Sequence, residues 1–364
     1  MSQSTTTERP VIAALPSIYE LLAAHGLRGA REEPFPNDGW SGASLTLLRR
    51  GGGDRFVLKR DSLARDWISR ATADGPVLRE AWFAAAGPSL PGSMRNPAFG
   101  GAFDEESGES GVLMPDLRDV LFDWNAVLAV EQLDVVLEAL AELHAFPWSL
   151  SSDLPETAPW CPIRERVSLI CRSSLERPGP AHDAVADRLL AGWDAFDRLA
   201  LPAAREVVAD LSDDQSSLVR ALSGRPSTLI HGDLKLANVG IEEDGSVDVV
   251  DWQMVMLGPA AIELGWFLVS NVNALPLSAA DALERYRSKV ARATLDAEDD
   301  GRSIGGLLFD QPDADLAILV GLLLRGWRKG YDAEAGITLA SGVTARDDLA
   351  WWCDRAVEAA GRVL

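Results

Sequence analysis

Three residues near the middle of the chain have the types and spacing to handle a hard cation and a reacting hydroxyl together. They are Asp233, Asn238 and Asp251, within TLIHGDLKLANVGIEEDGSVDVVDW, Thr228 to Trp252. Thr228-Leu229-Ile230 reads as a strand end, broken by His231-Gly232-Asp233. Val239-Gly240-Ile241 and Val247-Asp248-Val249-Val250 flank a turn containing Asp244-Gly245, a strong hairpin signal. The hairpin brings Asn238, at its entrance, close to Asp251, at its exit, with Asp233 upstream on the same loop. An amide oxygen and a carboxylate suit Mg2+, which keeps its other positions for phosphate oxygens and water. Asp233 is placed to accept the proton of an attacking hydroxyl. In phosphoryl transfer, with its loose transition state, such a group mainly orients the nucleophile. Taken singly, Asp233 and Asn238 read as turn formers and Asp251 as a helix cap. Their spacing through one hairpin favours the site.

A second pair lies upstream. Lys59 follows Val57-Leu58 on a strand, and Glu80 comes 21 residues later on a helix. An ion pair between them would hold an ammonium against nucleotide phosphates. The chain has only four lysines (Lys59, Lys235, Lys289 and Lys329) among 34 Lys plus Arg, so a retained lysine suggests a need for a compact ammonium. Lys235, two residues after Asp233, then reads as an ammonium facing the transferred phosphoryl group, against the usual solvated loop lysine. His231 reads as a structural residue bonding the loop backbone. Glu263 lies on a following helix, where it can brace the loop. The loop Asp38 to Ala43 (DGWSGA) has no G-x-G-x-x-G: its glycines, Gly42 among them, serve turn-making or the presentation of N–H groups to phosphates. Trp252, Trp266, Trp327, Trp351 and Trp352 read as core residues before they read as a cation cage.

The elements that must position these groups fall into two parts. Residues Pro16 to Ala24 predict a short amphipathic helix, and Leu27 to Phe35 a first strand. Ser44 to Arg50 and Arg55 to Arg60 predict two strands joined by Gly51-Gly52-Gly53-Asp54. Pro76 to Ala86 reads as a helix with Pro in its first turn, Phe99 to Gly111 as a glycine-rich acidic loop, and Val112-Leu113-Met114 as a buried strand. The boundary falls near Leu117, giving an N-terminal lobe over 1–117 and a helical C-terminal lobe over 118–364. In the second part helical spacing predicts Val130 to Phe146, Ile163 to Glu176, His182 to Ala200 and Ala203 to Leu222. After the hairpin it predicts Ala260 to Val272, Ser278 to Leu295, Asp313 to Gly330 and Thr344 to Leu364. Residues Met1 to Pro10 and 149–162 read as a frayed tail and a connection.

Composition narrows the partners. The net charge, 34 − 55 = −21, makes nucleic acid and anionic membrane poor partners and suits a cationic or neutral small substrate. Cys161, Cys171 and Cys353 follow no metal spacing and read as reduced, buried thiols of a cytoplasmic protein. The N-terminal MSQSTTTERP lacks the order of a signal peptide. The longest apolar run, Leu316 to Leu324, is too short to span a bilayer. Nothing in the sequence fixes an oligomeric state.

These residues resemble the aminoglycoside phosphotransferase and choline kinase family. The resemblance is carried in family order by VLKR at Val57, REAWF at Arg79, VLMPDL at Val112, LAELHAFPW at Leu140, IHGDLKLANV at Ile230 and VVDWQ at Val249. It implies an α+β, bilobal protein-kinase-like fold. It also implies Asp233 as catalytic base, Asn238 with Asp251 as Mg2+ ligands, Lys59 with Glu80 as nucleotide anchor, and Met114 to Leu117 as the adenine-contacting hinge. Asp-Trp-Gln is similar to the small-molecule kinases rather than the protein kinases. Only 11 residues separate Asp251 from Glu263, and no A-P-E follows, so an activation loop is not expected. Two departures stand out. Pro115 has no N–H to offer adenine, which moves the hinge donor to a neighbour such as Leu117 and leaves ATP against GTP open. Glu263 stands where an Asp is common, one methylene longer.

The expectation is therefore an ATP- and Mg2+-dependent kinase of a small-molecule hydroxyl, with an aminoglycoside or amino alcohol as the acceptor that suits the net charge. A non-catalytic nucleotide-binding module of the same fold is the alternative. A metallophosphoesterase would need several histidine ligands, and His25, His144 and His182 lie in no such context.

Overall fold

The computed structural model describes residues 15–36, 39–148, 154, 158–299 and 309–364. The expected tail Met1 to Pro10, the first residues of the 37–43 loop and most of the 149–162 connection lie outside them. The first part runs through helix α1 (Ile18–Ala24) and strands β1 (Arg31–Pro34), β2 (Ser44–Arg49) and β3 (Arg55–Asp61). Helices α2 (Trp67–Ala71) and α3 (Arg79–Ala86) follow, then strands β4 (Met94–Arg95), β5 (Gly100–Asp104) and β6 (Glu109–Pro115). Helix α1 starts on a capping box in which Ser17 and Glu20 satisfy each other's backbone N–H. Strands β1, β2, β3, β6 and β5 form one antiparallel sheet in that order. Its register sets Lys59 opposite Val112 and Val57 opposite Met114. Ile18, Leu21, Leu27, Leu48, Leu58, Ala102 and Leu113 close a small core between this sheet and α1.

Two expectations are corrected here. Helix α3 begins at Arg79 rather than Pro76, because Asp74 Oδ2 takes the Arg79 N–H and starts the helix there. Residues 99–111 are mostly the hairpin β5–β6 rather than a loop. Their glycines mislead because they are there for packing: a Cβ at Gly101 would lie 1.8 Å from the Ala81 carbonyl, so β5 can pass under α3 only as glycine.

The second part is helical: α4 (Val130–Ala145), α5 (Ile163–Ser168), α6 (Arg172–Glu176), α7 (Pro180–Leu199), α8 (Pro202–Asp213) and α9 (Ser216–Ser223). Strands β7 (Thr228–Ile230), β8 (Val239–Ile241), β9 (Val247–Val249) and β10 (Met256–Gly258) follow, then α10 (Ala260–Ser270), α11 (Ala279–Asp299), α12 (Gln311–Ala335) and α13 (Ala345–Val363). The single helix expected over Ile163 to Glu176 is split around Cys171, and that over Ala203 to Leu222 at Asp214, whose carboxylate caps Ser216 N–H at 2.9 Å. Helix α12 packs against α7, α10 and α13, burying the Leu316 to Leu324 run inside the protein. No helix among the described residues is long and apolar enough to cross a membrane.

The hairpin β8–β9 forms as expected, with Gly245 at φ 84° in its turn. Strand β9 also pairs in parallel with β4, and β7 pairs antiparallel with β10, so β9 is held from the first part and β7 from the second. The large helical core reaches across as well: Trp67, Trp82 and Phe83 from α2 and α3 pack into it, with Phe83 stacked on Trp252 at 4.6 Å.

Candidate active site

The loop after β7 is fixed from three directions. Glu263, fully buried on α10, accepts the His231 N–H at 2.5 Å and the Gly232 N–H at 3.2 Å, both through Oε2. The extra methylene of Glu263 is thus accommodated, and the bracing expected of it is made. Burial pushes its carboxyl up to about 7 against these two N–H donors. His231 holds the second side. Its Nδ1 accepts the Asp233 N–H at 3.1 Å, so its Nε2–H donates to the Val250 carbonyl at 3.0 Å. Both nitrogens are engaged by a neutral ring, and burial lowers its pKa to about 4. This is the structural role expected of it. On the third side Arg166 Nε donates to the Gly232 carbonyl at 2.5 Å. Gly232 itself sits at φ 83°, where a Cβ would meet the Met254 carbonyl at 2.3 Å, so no other residue fits.

Asp233 leaves this loop buried, 4% exposed. Its main-chain carbonyl accepts from Asn238 Nδ2 at 3.1 Å, which orients the amide and leaves Oδ1 unengaged by that contact. The Asn238 carbonyl accepts the Val250 N–H at 3.0 Å, so the entrance and exit of the hairpin are joined as the sequence suggested. Asp251 follows with φ 70° and ψ 50°, one of two non-glycine residues at positive φ among those described. That conformation costs about 1–2 kcal/mol and occurs where surrounding structure imposes it.

The charged side chains then form one chain across the cleft. Lys59 Nζ lies 2.6 Å from Glu80 Oε2 and 2.6 Å from Asp251 Oδ1. Lys235 Nζ lies 2.9 Å from Asp233 Oδ2 and 3.9 Å from Asp251 Oδ2. Burial pulls the Lys59 pKa down, but Asp251 and Glu80 outweigh it and hold the group as an ammonium. Burial likewise pushes Asp251 up, and Lys59 and Lys235 more than reverse this, keeping it ionised well below the usual carboxylate range. Glu80, equally close to Lys59, is pushed up to about 7 by burial, with Lys59 opposing and the Asp251 charge adding to the rise. Val112, Met114, Ala98 and Val250 line a small cleft that ends on Glu80 and Asp251. Met114 is therefore brought to the site. Leu117 is buried outside that lining, its carbonyl taken by the Val120 and Leu121 N–H groups. Gly42 sits at φ 106° against the Arg65 backbone rather than in the cleft.

Several residues that serve the site went unassigned in the sequence. Arg79, 1% exposed, donates to the carbonyls of Pro159 at 2.5 Å and Gln253 at 2.8 Å, fastening α3 to the segment after Asp251. Gln253 in turn bonds Asp66 Oδ2 beside α2. Both lie in quoted segments, REAWF and VVDWQ, where a polar residue among apolar ones was the available signal. Asn271 Oδ1 accepts the Leu236 N–H at 2.8 Å and supports the turn Leu236–Asn238. Trp124, 60% exposed, lies 5.6 Å from Lys235 Nζ. Arg325 interrupts the apolar face of α12, directly after the Leu316 to Leu324 run. Among the five tryptophans considered as a cage, Trp252 and Trp352 are fully buried and Trp266 and Trp327 nearly so.

No curated protein matches the chain significantly. Among solved structures it is similar to choline kinase LicA from Streptococcus pneumoniae (13% identity, covering 94% of this chain and 98% of that one, TM-score 0.43). It is also similar to a macrolide 2'-phosphotransferase from Brachybacterium faecium (18%, 93% and 96%, 0.39) and to choline kinase from Cryptosporidium parvum Iowa II (11%, 91% and 90%, 0.47). The sequence profile of the phosphotransferase enzyme family, APH, matches residues 35–298. With that match over most of its length, on the α+β architecture described above, an antiparallel-sheet part followed by a helical part, the chain belongs to the phosphotransferase enzyme family.

Proposed function

We propose that this enzyme transfers the γ-phosphoryl group of ATP, with Mg2+, to a hydroxyl of a small molecule. The carrying observation is the unbroken line of paired charge Glu80–Lys59–Asp251–Lys235–Asp233, drawn from both parts of the chain. In this reading residues 1–117 form the nucleotide lobe and 118–364 the catalytic and acceptor lobe. The cleft at Met114 takes the adenine. Asp116 N–H is engaged by the Arg55 carbonyl in the direction of β3. In this reading the Leu117 N–H, two residues past Pro115, supplies the hinge donor that Pro115 lacks. That donor serves ATP or GTP. Gly42 belongs to the loop that would cover the phosphates.

The residues fit the metal. Asn238 is oriented through its Nδ2 with Oδ1 available, and Asp251 offers an ionised carboxylate whose side chain is 24% exposed. Both are hard oxygen donors of the kind Mg2+ takes in few-ligand sites completed by phosphate and water. When bound, the ion neutralises charge on the phosphates. Lys59, anchored by Glu80, would then face the phosphates with its ammonium instead of Asp251. The acceptor oxygen attacks the γ-phosphorus while its proton passes to Asp233. The bond between the γ-phosphorus and the bridging oxygen breaks, and ADP leaves with that electron pair. Lys235, 2.9 Å from Asp233 Oδ2, faces the transferred group. Buried, unpaired cysteines, Cys161, Cys171 and Cys353, suit a cytoplasmic site of action.

The test is Mg2+-dependent ADP release across amino alcohols, aminoglycosides, sugars and hydroxy acids. An acceptor-dependent rate in the wild type that Asp233→Ala abolishes is expected. Equal rates in the two proteins throughout the panel would remove the base from the mechanism and favour a nucleotide-binding module without turnover.

A further inference from the structure

Within electrostatic reach of Asp233 lies a group of buried donors without acceptors. Arg166 on α5 is fully buried. Its Nε holds the Gly232 carbonyl, but Nη1 and Nη2 have no hydrogen-bond partner. Its guanidinium stacks on the Trp266 ring, 4.5 Å from the centroid. Arg325 sits where α12 breaks, at φ −131° and ψ 16°, and its guanidinium lies 5.3 Å from the same ring and 4.9 Å from that of Trp327. Its Nε is buried without a partner, as are the indole N–H groups of Trp266 and Trp327. Arg325 makes no ion pair with any described residue, whereas its neighbours Arg328 and Lys329 do, with Asp332 at 2.8 Å and Asp348 at 2.5 Å.

The nearby carboxylates do not balance this charge. Asp233 is held by Lys235, Oε2 of Glu263 is taken by two backbone N–H groups, and Asp332 is gripped by Arg328. Glu263 Oε1 has no partner, and by meeting one Arg166 N–H it would offset that charge, leaving the other donors unmet and Arg325 without a counter-ion. Water can satisfy a neutral donor but does not cancel the guanidinium charge of the half-buried Arg325, and a charge without a counter-ion away from bulk water is costly. Burial lowers the pKa of Arg325 to about 10, with Arg328 and Arg166 adding to the effect and Asp233 opposing it. Guanidinium groups stacked on indole rings are suited to planar or phosphate anions.

Resting on the kinase reading of Asp233, we propose that the phosphoryl acceptor is an anion: a hydroxy compound whose carboxylate or phosphate group sits against Arg166 and Arg325 over Trp266 and Trp327, presenting its hydroxyl to Asp233. The local charge at the acceptor side then opposes the preference that the net charge of the whole chain suggests.

The test uses the full-length enzyme saturated with Mg2+ and a non-hydrolysable ATP analogue, at constant ionic strength in chloride. The probes are glycolate, inorganic phosphate and choline. They are followed by 19F resonances of 5-fluorotryptophan assigned through Trp266→Phe and Trp327→Phe. Glycolate or phosphate should shift these resonances saturably, at least tenfold more tightly than choline, and Arg325→Met should weaken that binding tenfold or more. A response to glycolate alone assigns a carboxylate, and to phosphate alone a phosphate ester. Should Arg325→Met lose its wild-type melting temperature, Arg325→Gln takes its place. The proposal is overturned by saturation with choline and not the anions, by silence of both anions, or by wild-type anion binding in the folded Arg325 variant. Nucleotide turnover in the same preparations separates the two readings. Anion binding with no wild-type phosphate transfer to any hydroxy acid or sugar phosphate would sink the kinase reading and leave the anion site standing.

Discussion

The two sides of Asp233 are built on opposite electrostatic terms. Toward the cleft at Met114 each buried charge has a partner: Lys59 lies 2.6 Å from both Glu80 and Asp251, and Lys235 lies 2.9 Å from Asp233. Toward Trp266, the guanidinium groups of Arg166 and Arg325 stack on rings and lack carboxylate partners. A paired network holds its own geometry, and a ligand must enter by displacing one of its bonds, here that of Lys59 to Asp251. An unpaired group of donors is completed only by something that arrives. On the proposed reading, the first arrangement prepares a reaction, and the second selects what may undergo it.

The strongest way to break this comparison is to remove a member of the paired side. Asp233→Asn keeps the size of the side chain and removes the base. A kcat loss on the order of 10²–10⁴-fold is expected, the usual range for a general base, with the melting temperature little changed. A variant that keeps more than a tenth of the wild-type kcat would mean that the paired side does no chemistry. Next in size is Glu80→Gln. It leaves Asp251 as the one full charge on Lys59, drawing the ammonium away from the phosphates. A fall in kcat/KM for the nucleotide of about 10–100-fold is expected, or about 1.4–2.8 kcal/mol. Lys59→Arg should fare no better, since a planar fork does not reproduce a point charge held between two carboxylates. Unchanged nucleotide kinetics in Glu80→Gln would show that Asp251 alone sets the position of Lys59.

The same comparison explains what could be read from the sequence. The paired side is made of residues close in sequence or in a fixed order along it. Asp233, Lys235 and Asn238 share one loop, Asp251 ends the next hairpin, and Lys59 and Glu80 sit on a strand and helix with clear periodicity. Helix ends and the β5–β6 hairpin were less legible, because Asp74 and Asp214 start helices through contacts that composition does not reveal, and Gly101 is a packing residue that reads as a loop residue. Arg166 and Arg325 carried the weakest signal. They come from α5 and α12, far apart in the chain, and meet only because α10 places Trp266 between them. A single arginine in RERVS or after LAILVGLLL reads as a helix surface until the packing is known.

A third change acts on the brace between the two sides. Glu263→Ala removes the acceptor of the His231 and Gly232 N–H groups and leaves two buried donors unmet. A loss of about 2 kcal/mol in unfolding free energy is expected from that desolvation penalty, read by urea denaturation. The pairing of Lys235 with Asp233 should loosen at the same time. If stability is unchanged, the loop is held by His231 and Arg166 alone.

The smallest expected effect asks whether an unpartnered buried nitrogen always marks a ligand site. His144 is fully buried in α4, with Nδ1 2.8 Å from the Tyr286 hydroxyl and Nε2 without a partner, as unmet as the guanidinium nitrogens of Arg166. The difference is charge. Burial lowers the His144 pKa from 6.5 to about 3, so the ring is neutral at physiological pH and needs no counter-ion. Its folded pKa lies below the unfolded value, so between the two the unfolded chain binds more protons. The stability it contributes is complete above pH 6.5 and is lost as the pH falls toward 3. Between pH 6.5 and 5.5 that loss is about 1 kcal/mol. His144→Gln can keep a bond to Tyr286 and cannot titrate. Carboxylate protonation is common to both proteins and cancels in the difference between their urea-unfolding curves, so the stability gap should move in favour of the variant by that amount. Parallel curves would mean that His144 is charged or solvated in the folded protein. Its unmet nitrogen would then no longer be distinguishable from those of Arg166 and Arg325 by charge, and the contrast between neutral packing and an anion site would lose its control.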